Sequence, residues 1–145
     1  MARSSSTYAK AIDSFKVETA SKYQPSGGQT YCNVFAQDVM KHSDLNAALP
    51  SGTTTTMYNA LYGNKDSHWK SVGFQEAQKR ANQGHPTIAI KPGHVVVVRP
   101  KGSEITQLKE VQIAQAGATN YNSTTINWAW SSSELTDVKF YSHYE

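Results

Sequence analysis

Thr87-Ile88-Ala89-Ile90-Lys91-Pro92-Gly93-His94-Val95-Val96-Val97-Val98-Arg99-Pro100 is the stretch that decides the fold. Two runs rich in β-branched residues flank a Pro-Gly turn, and the second is continuously apolar until Pro100 stops it, as a buried central strand requires. Working outward, the period upstream is three to four residues. Downstream, Val111-Gln112-Ile113-Ala114 and Val138-Lys139-Phe140-Tyr141 repeat the strand pattern. Helices first and strands afterwards give an α+β domain, N-terminal helices packed on a largely antiparallel sheet. With no internal repeat or linker, residues 1–145 read as one domain, long enough for a core without disulfides.

Upstream, Tyr8, Ala11, Ile12, Phe15, Thr19 and Tyr23 share one face and predict a helix over 7–23, ending before Pro25. Ser26-Gly27-Gly28 is a turn. Beyond it a second helix is expected over about 30–41, entered at Gln29 or Thr30. Residues 45–56 read as a loop, a threonine of which caps a short helix carrying Met57, Ala60 and Leu61 and stopping at Gly63-Asn64. Trp69 and Val72 fall in a polar loop, and Phe74 to Asn82 is a further helix stopped by Gln83-Gly84.

The single cysteine, Cys32, falls in the first turn of the second helix, where unpaired N–H groups and the helix dipole favour a thiolate. The plain alternative is a small buried apolar side chain. His94 opens the central strand and shares a face with Val96 and Val98. If that face meets the helices, its imidazole can take the thiol proton and later protonate a leaving amine; otherwise it is a solvent-facing strand end. Gln115 lies on the same face as Val111 and Ile113, where an amide needs a partner, and an imidazole would supply one. Asn120 is the alternative orienter.

Several functions are excluded. A net charge of +3, with Lys79-Arg80 the one adjacent basic pair, is too dispersed for nucleic-acid recognition. One cysteine and five histidines without ligand spacing leave no metal site and call for no cofactor. No apolar run approaches the roughly 20 residues of a membrane span. The N-terminal region, with Ser4-Ser5-Ser6-Thr7, does not read as an export signal, so the protein is expected to be made in the cytoplasm and carried or released by another agent.

A cysteine at a helix start, then Gly-His-Val-Val-Val-Val opening a strand, then a polar residue on the next strand, resembles the papain-like cysteine peptidases of the NlpC and CHAP type. The resemblance covers about residues 23–117, and Gly93-His94-Val95 is its most specific part. Two stretches depart from the family pattern: Asn33-Val34-Phe35 follows the cysteine where NlpC proteins usually have a serine and glycine after an aspartate, and Gln115 stands where His, Asn or Glu is usual. The resemblance implies a papain-like fold and hydrolysis of a peptidoglycan amide bond, as in phage lysins and type VI secretion amidases. In that reading Cys32 is the nucleophile, His94 the base and acid, and Gln115 the orienting group. The Cys32 N–H and Tyr23 would serve an oxyanion hole, with Asn120 as a further oxyanion or substrate-binding residue; Trp69 and Tyr121 offer aromatic faces that suit groove walls for sugar rings and peptide stems, and core packing explains either equally well. It further implies a monomer acting at the cell wall after release or secretion, with an immunity protein or a separate wall-binding domain as partners. Another papain-like specificity, a transferase or a protein-directed peptidase, would keep Cys32 and His94. A non-catalytic wall-binding module would need neither.

Overall fold

The structure, a computed structural model, describes residues 3–63 and 68–145. Its centre is one six-stranded antiparallel sheet in the order β1-β6-β2-β3-β4-β5, built from β1 (Trp69–Val72), β2 (Thr87–Lys91), β3 (His94–Val98), β4 (Gln112–Gln115), β5 (Tyr121–Thr125) and β6 (Lys139–His143). The helices are α1 (Ser5–Ser14), α2 (Cys32–Met40), α3 (Thr54–Tyr62), α4 (Phe74–Asn82) and the short α5 (Ser132–Leu135). The architecture is α+β, as the order of periods in the sequence indicates.

The Pro92-Gly93 turn closes the β2–β3 hairpin in full register, from Lys91 opposite His94 to Thr87 opposite Val98. Gly93 has φ +99°, the conformation that glycine takes without cost after a proline in a type II turn. Ile88 to Ile90 and Val95 to Val98 are all buried, so the hairpin is the middle of the core. Helix α2 packs on β3 and β4, and α3 and α4 on β2. From α1, the buried Tyr8 hydroxyl donates to the Val98 carbonyl (2.6 Å) and accepts from the Thr87 N–H (3.1 Å), fastening that helix to the same hairpin. Just past β3, Arg99 donates to Asp13 (3.0 Å) on α1 and to the Asn122 carbonyl (2.6 Å) on β5.

Three expectations from the sequence are corrected. The first helix stops at Ser14, because Lys16 takes a left-handed φ of +51° that ends the ladder. Tyr23 belongs instead to a separate 3-10 turn, Ser21–Tyr23; both pieces bury apolar side chains in one core, so their spacing mimicked one helix. Trp69 and Val72 are not in a loop but form edge strand β1, paired with Phe140 to His143. β5 was also missed: Tyr-Asn-Ser-Thr-Thr has no apolar alternation, and its pairing with β4 is what makes it a strand. Elsewhere the local signals hold but for one boundary: the loop expected through Thr56 stops at Thr53, which caps α3 through the Thr56 N–H (3.2 Å), so Thr54 to Thr56 are helical. α4 spans Phe74–Asn82 as its pattern indicated. The helix stop read at Gly63-Asn64 falls partly outside the described residues, which omit Asn64; α3 itself ends at Tyr62.

Candidate active site

The N-terminus of α2 meets the start of β3. Tyr31 is the residue before the helix and makes no side-chain cap, so neither Gln29 nor Thr30 is the cap, and the first-turn N–H groups lack the usual side-chain acceptor. Cys32 follows, 4% exposed, its sulfur against the Val95 N–H one residue beyond His94. Burial pushes the thiol pKa above its ordinary value, although hydrogen bonds from the N–H groups of Val95, Asn33 and Cys32 itself act to lower it. The helix start therefore does not yield the resting thiolate expected from the sequence. Removing the sulfur from water outweighs the backbone donors.

On β3, His94 faces the next strand. Val98 pairs with Ile113 and Val97 with Ala114, and continuing that register sets Gln115 across from Val96, on the face His94 shares. His94 Nε2 and Gln115 Oε1 are 2.9 Å apart. Gln115 Nε2 donates to the Thr119 carbonyl at 2.8 Å. That carbonyl can only accept, so the amide oxygen must face the ring, His94 Nε2 carries the proton, and Nδ1 keeps its lone pair. Burial lowers the His94 pKa, opposed by the Gln115 hydrogen bond and the charge of Glu134, so the imidazole is neutral near pH 7. A neutral imidazole on β3, and a neutral thiol whose sulfur meets the N–H of the next β3 residue, Val95, are the two groups that general-base activation of a thiol needs.

Two further groups hold the ring. Trp130 meets it edge-on, centroids 5.2 Å apart at 71°. Gly117 passes so close that a methyl group there would lie 3.1 Å from Gln115 Nε2 and 3.3 Å from His94 Cε1. Its φ is not in the left-handed region, so a side chain at 117 would crowd the Gln115–His94 pair without straining the backbone.

The remaining candidates separate cleanly. Asn120 does not touch the imidazole: its Oδ1 accepts from the Gly117 N–H (2.9 Å), while its Nδ2 donates to the carbonyls of Val17 (2.9 Å) and Tyr23 (2.7 Å). It knits three loops together, and the amide that meets the imidazole is Gln115. Tyr23 as an oxyanion donor is corrected, since its hydroxyl donates to Asp38 at 2.6 Å, further along α2, in an ion pair with Lys22. Trp69 as a groove wall is corrected too. It is 1% exposed, three strands from β3, with its Nε1 donating to the Ala48 carbonyl (3.0 Å) and its ring edge-on to His143. Tyr121 does line the cleft of about 360 Å³ that opens at His94 and Gln115. Trp128, on the same cleft, and Trp130, behind the imidazole, escaped the sequence reading. Their signal was the pair of tryptophans two apart in Asn127-Trp128-Ala129-Trp130, which sends one ring inward and one outward.

Among the described residues, no cluster of three His, Cys, Asp or Glu side chains could hold a metal ion, and no helix is long and apolar enough to cross a membrane. The sequence matches no family model, and no curated protein is significantly similar to it.

Proposed function

We propose that the protein is a cysteine hydrolase of papain-like fold that cleaves an amide bond of peptidoglycan. The observation that supports the thiol chemistry is the hydrogen bond from His94 Nε2 to Gln115 Oε1, which leaves Nδ1 as the ring's basic nitrogen on the strand whose next residue, Val95, turns its N–H to the Cys32 sulfur. Peptidoglycan as substrate rests on the resemblance of this order of residues to the NlpC and CHAP enzymes.

The chemistry follows from the two neutral groups. As the substrate carbonyl arrives, Nδ1 of His94 takes the thiol proton while the sulfur attacks the carbonyl carbon. The uncapped N–H groups at the start of α2 then stabilise the oxyanion. The imidazolium, held by Gln115, gives its proton to the departing amine, leaving a thioester. Water, deprotonated by the same imidazole, attacks the thioester and releases the carboxylate and the free thiol. Gln115 is neutral, so it fixes the ring's tautomer and direction without the full charge stabilisation a carboxylate would supply.

The test is mass spectrometry of muropeptides after digestion of purified sacculi. Wild-type protein should release fragments ending in a new carboxylate and a new amine, unaffected by EDTA and abolished by iodoacetamide or by Cys32→Ala. Cleavage that survives Cys32→Ala, or that EDTA stops, overturns the thiol mechanism.

A further inference from the structure

The segment that supplies Trp130 to the imidazole also turns Trp128 outward. Trp128 is 64% exposed, one of two large hydrophobic side chains so exposed among the described residues. It stands beside Tyr121, ring centroids 6.4 Å apart and planes inclined at 54°, so the two faces diverge around a shared opening. Both line the cleft that contains His94 and Gln115. Tyr121 pairs with Gln115 across the β4–β5 ladder, which fixes its place relative to the imidazole's partner.

The chemistry of the lining decides what fits. No Asp, Glu, Lys or Arg side chain is among the described residues lining this cleft; apart from the histidine they offer aromatic, hydroxyl, amide, alanine methyl or glycine backbone groups. A stem peptide carries carboxylates and an amine, which such a surface cannot neutralise and would desolvate at a cost. A pyranose ring is uncharged, presents C–H groups that pack on an aromatic face, and directs hydroxyl and acetamido groups sideways to polar partners. At about 360 Å³ the cleft is at the small end of ligand sites, enough for a single ring and its neighbouring residue beside the reacting centre.

We infer that Trp128 and Tyr121 form a pyranose subsite, so that the amide acted on is the one joining the stem peptide to the lactyl group of the sugar. This rests on the hydrolase reading for the identity of the bond, but the sugar subsite can be tested without turnover. Trp128 would touch substrate directly, while Trp130 acts through His94 as a positioning residue.

The experiment uses the full chain carrying Cys32→Ala, titrated calorimetrically with N-acetylmuramoyl-L-alanyl-D-isoglutamine and with the matched N-lactoyl dipeptide that lacks the sugar. The sugar-bearing ligand should bind at least about tenfold more tightly. Adding Trp128→Ala should remove that difference, and Trp128→Phe should keep most of it; an exposed side chain leaves folding intact. Equal binding of the two ligands, no binding of either, or a preference that survives Trp128→Ala overturns the subsite. The two readings fail separately. A Trp128-dependent sugar preference in a protein that releases nothing from sacculi keeps the subsite and removes the hydrolase; cleavage between peptides with no sugar preference does the reverse.

Discussion

Replacing Gln115 by alanine removes the one hydrogen bond that fixes the imidazole's tautomer. The 2.9 Å bond to His94 Nε2 is lost together with the 2.8 Å bond to the Thr119 carbonyl. For folding, the two abandoned partners cost about 1–3 kcal/mol each if they stay dry, but both border an open cleft that water can enter, so a total of about 1–3 kcal/mol is expected. For catalysis the loss is larger in effect. Without the acceptor, either ring nitrogen can carry the proton, and the fraction with Nδ1 basic falls. Trp130 still holds the ring edge-on at 5.2 Å, so the imidazole is not set loose. We expect kcat/KM to fall roughly ten- to a thousandfold, about 1.4–4 kcal/mol. The assay is the initial rate of sacculus clearing across pH, with melting curves as the control for folding. A Gln115→Glu variant sharpens it: a carboxylate at the same position raises the His94 pKa, so the acid limb of the pH profile should move upward from its low wild-type position. Full activity in Gln115→Ala, with the pH profile unchanged, would refute the orienting role.

Asn120→Ala should behave in the opposite way, lowering the melting temperature because three backbone partners at Val17, Tyr23 and Gly117 lose their bonds, while the acid limb of the pH profile of the folded fraction stays in place. A shifted acid limb in a fully stable variant would return the orienting role to Asn120. Iodoacetamide should label Cys32 slowly near pH 7, with a rate rising about tenfold per pH unit between about 7 and 9, because burial holds the thiol pKa up and only the thiolate reacts. A rate that is flat from about pH 5 to 8 would instead reveal a resting thiolate–imidazolium pair.

What the sequence determined by itself is what short-range physics controls. The strand pattern that begins at Thr87, the Pro-Gly turn before His94, a threonine cap on α3 and the span of α4 all depend on neighbours within a few residues, and each is present in the structure. The face of Gln115 was legible for the same reason, since strand alternation has a period of two and an amide among apolar neighbours needs a partner. Other features were decided only when the chain closed on itself. Which amide meets the imidazole depends on the β3–β4 register and on loops that Asn120 ties from 97 and 103 positions away. β5 has no apolar pattern of its own and becomes a strand through its ladder with β4, while Trp69 left the expected groove because β1 pairs with β6 at the far edge. The thiol is neutral because desolvation is a property of everything packed around Cys32, and no helix-start pattern encodes how deep that helix start will lie.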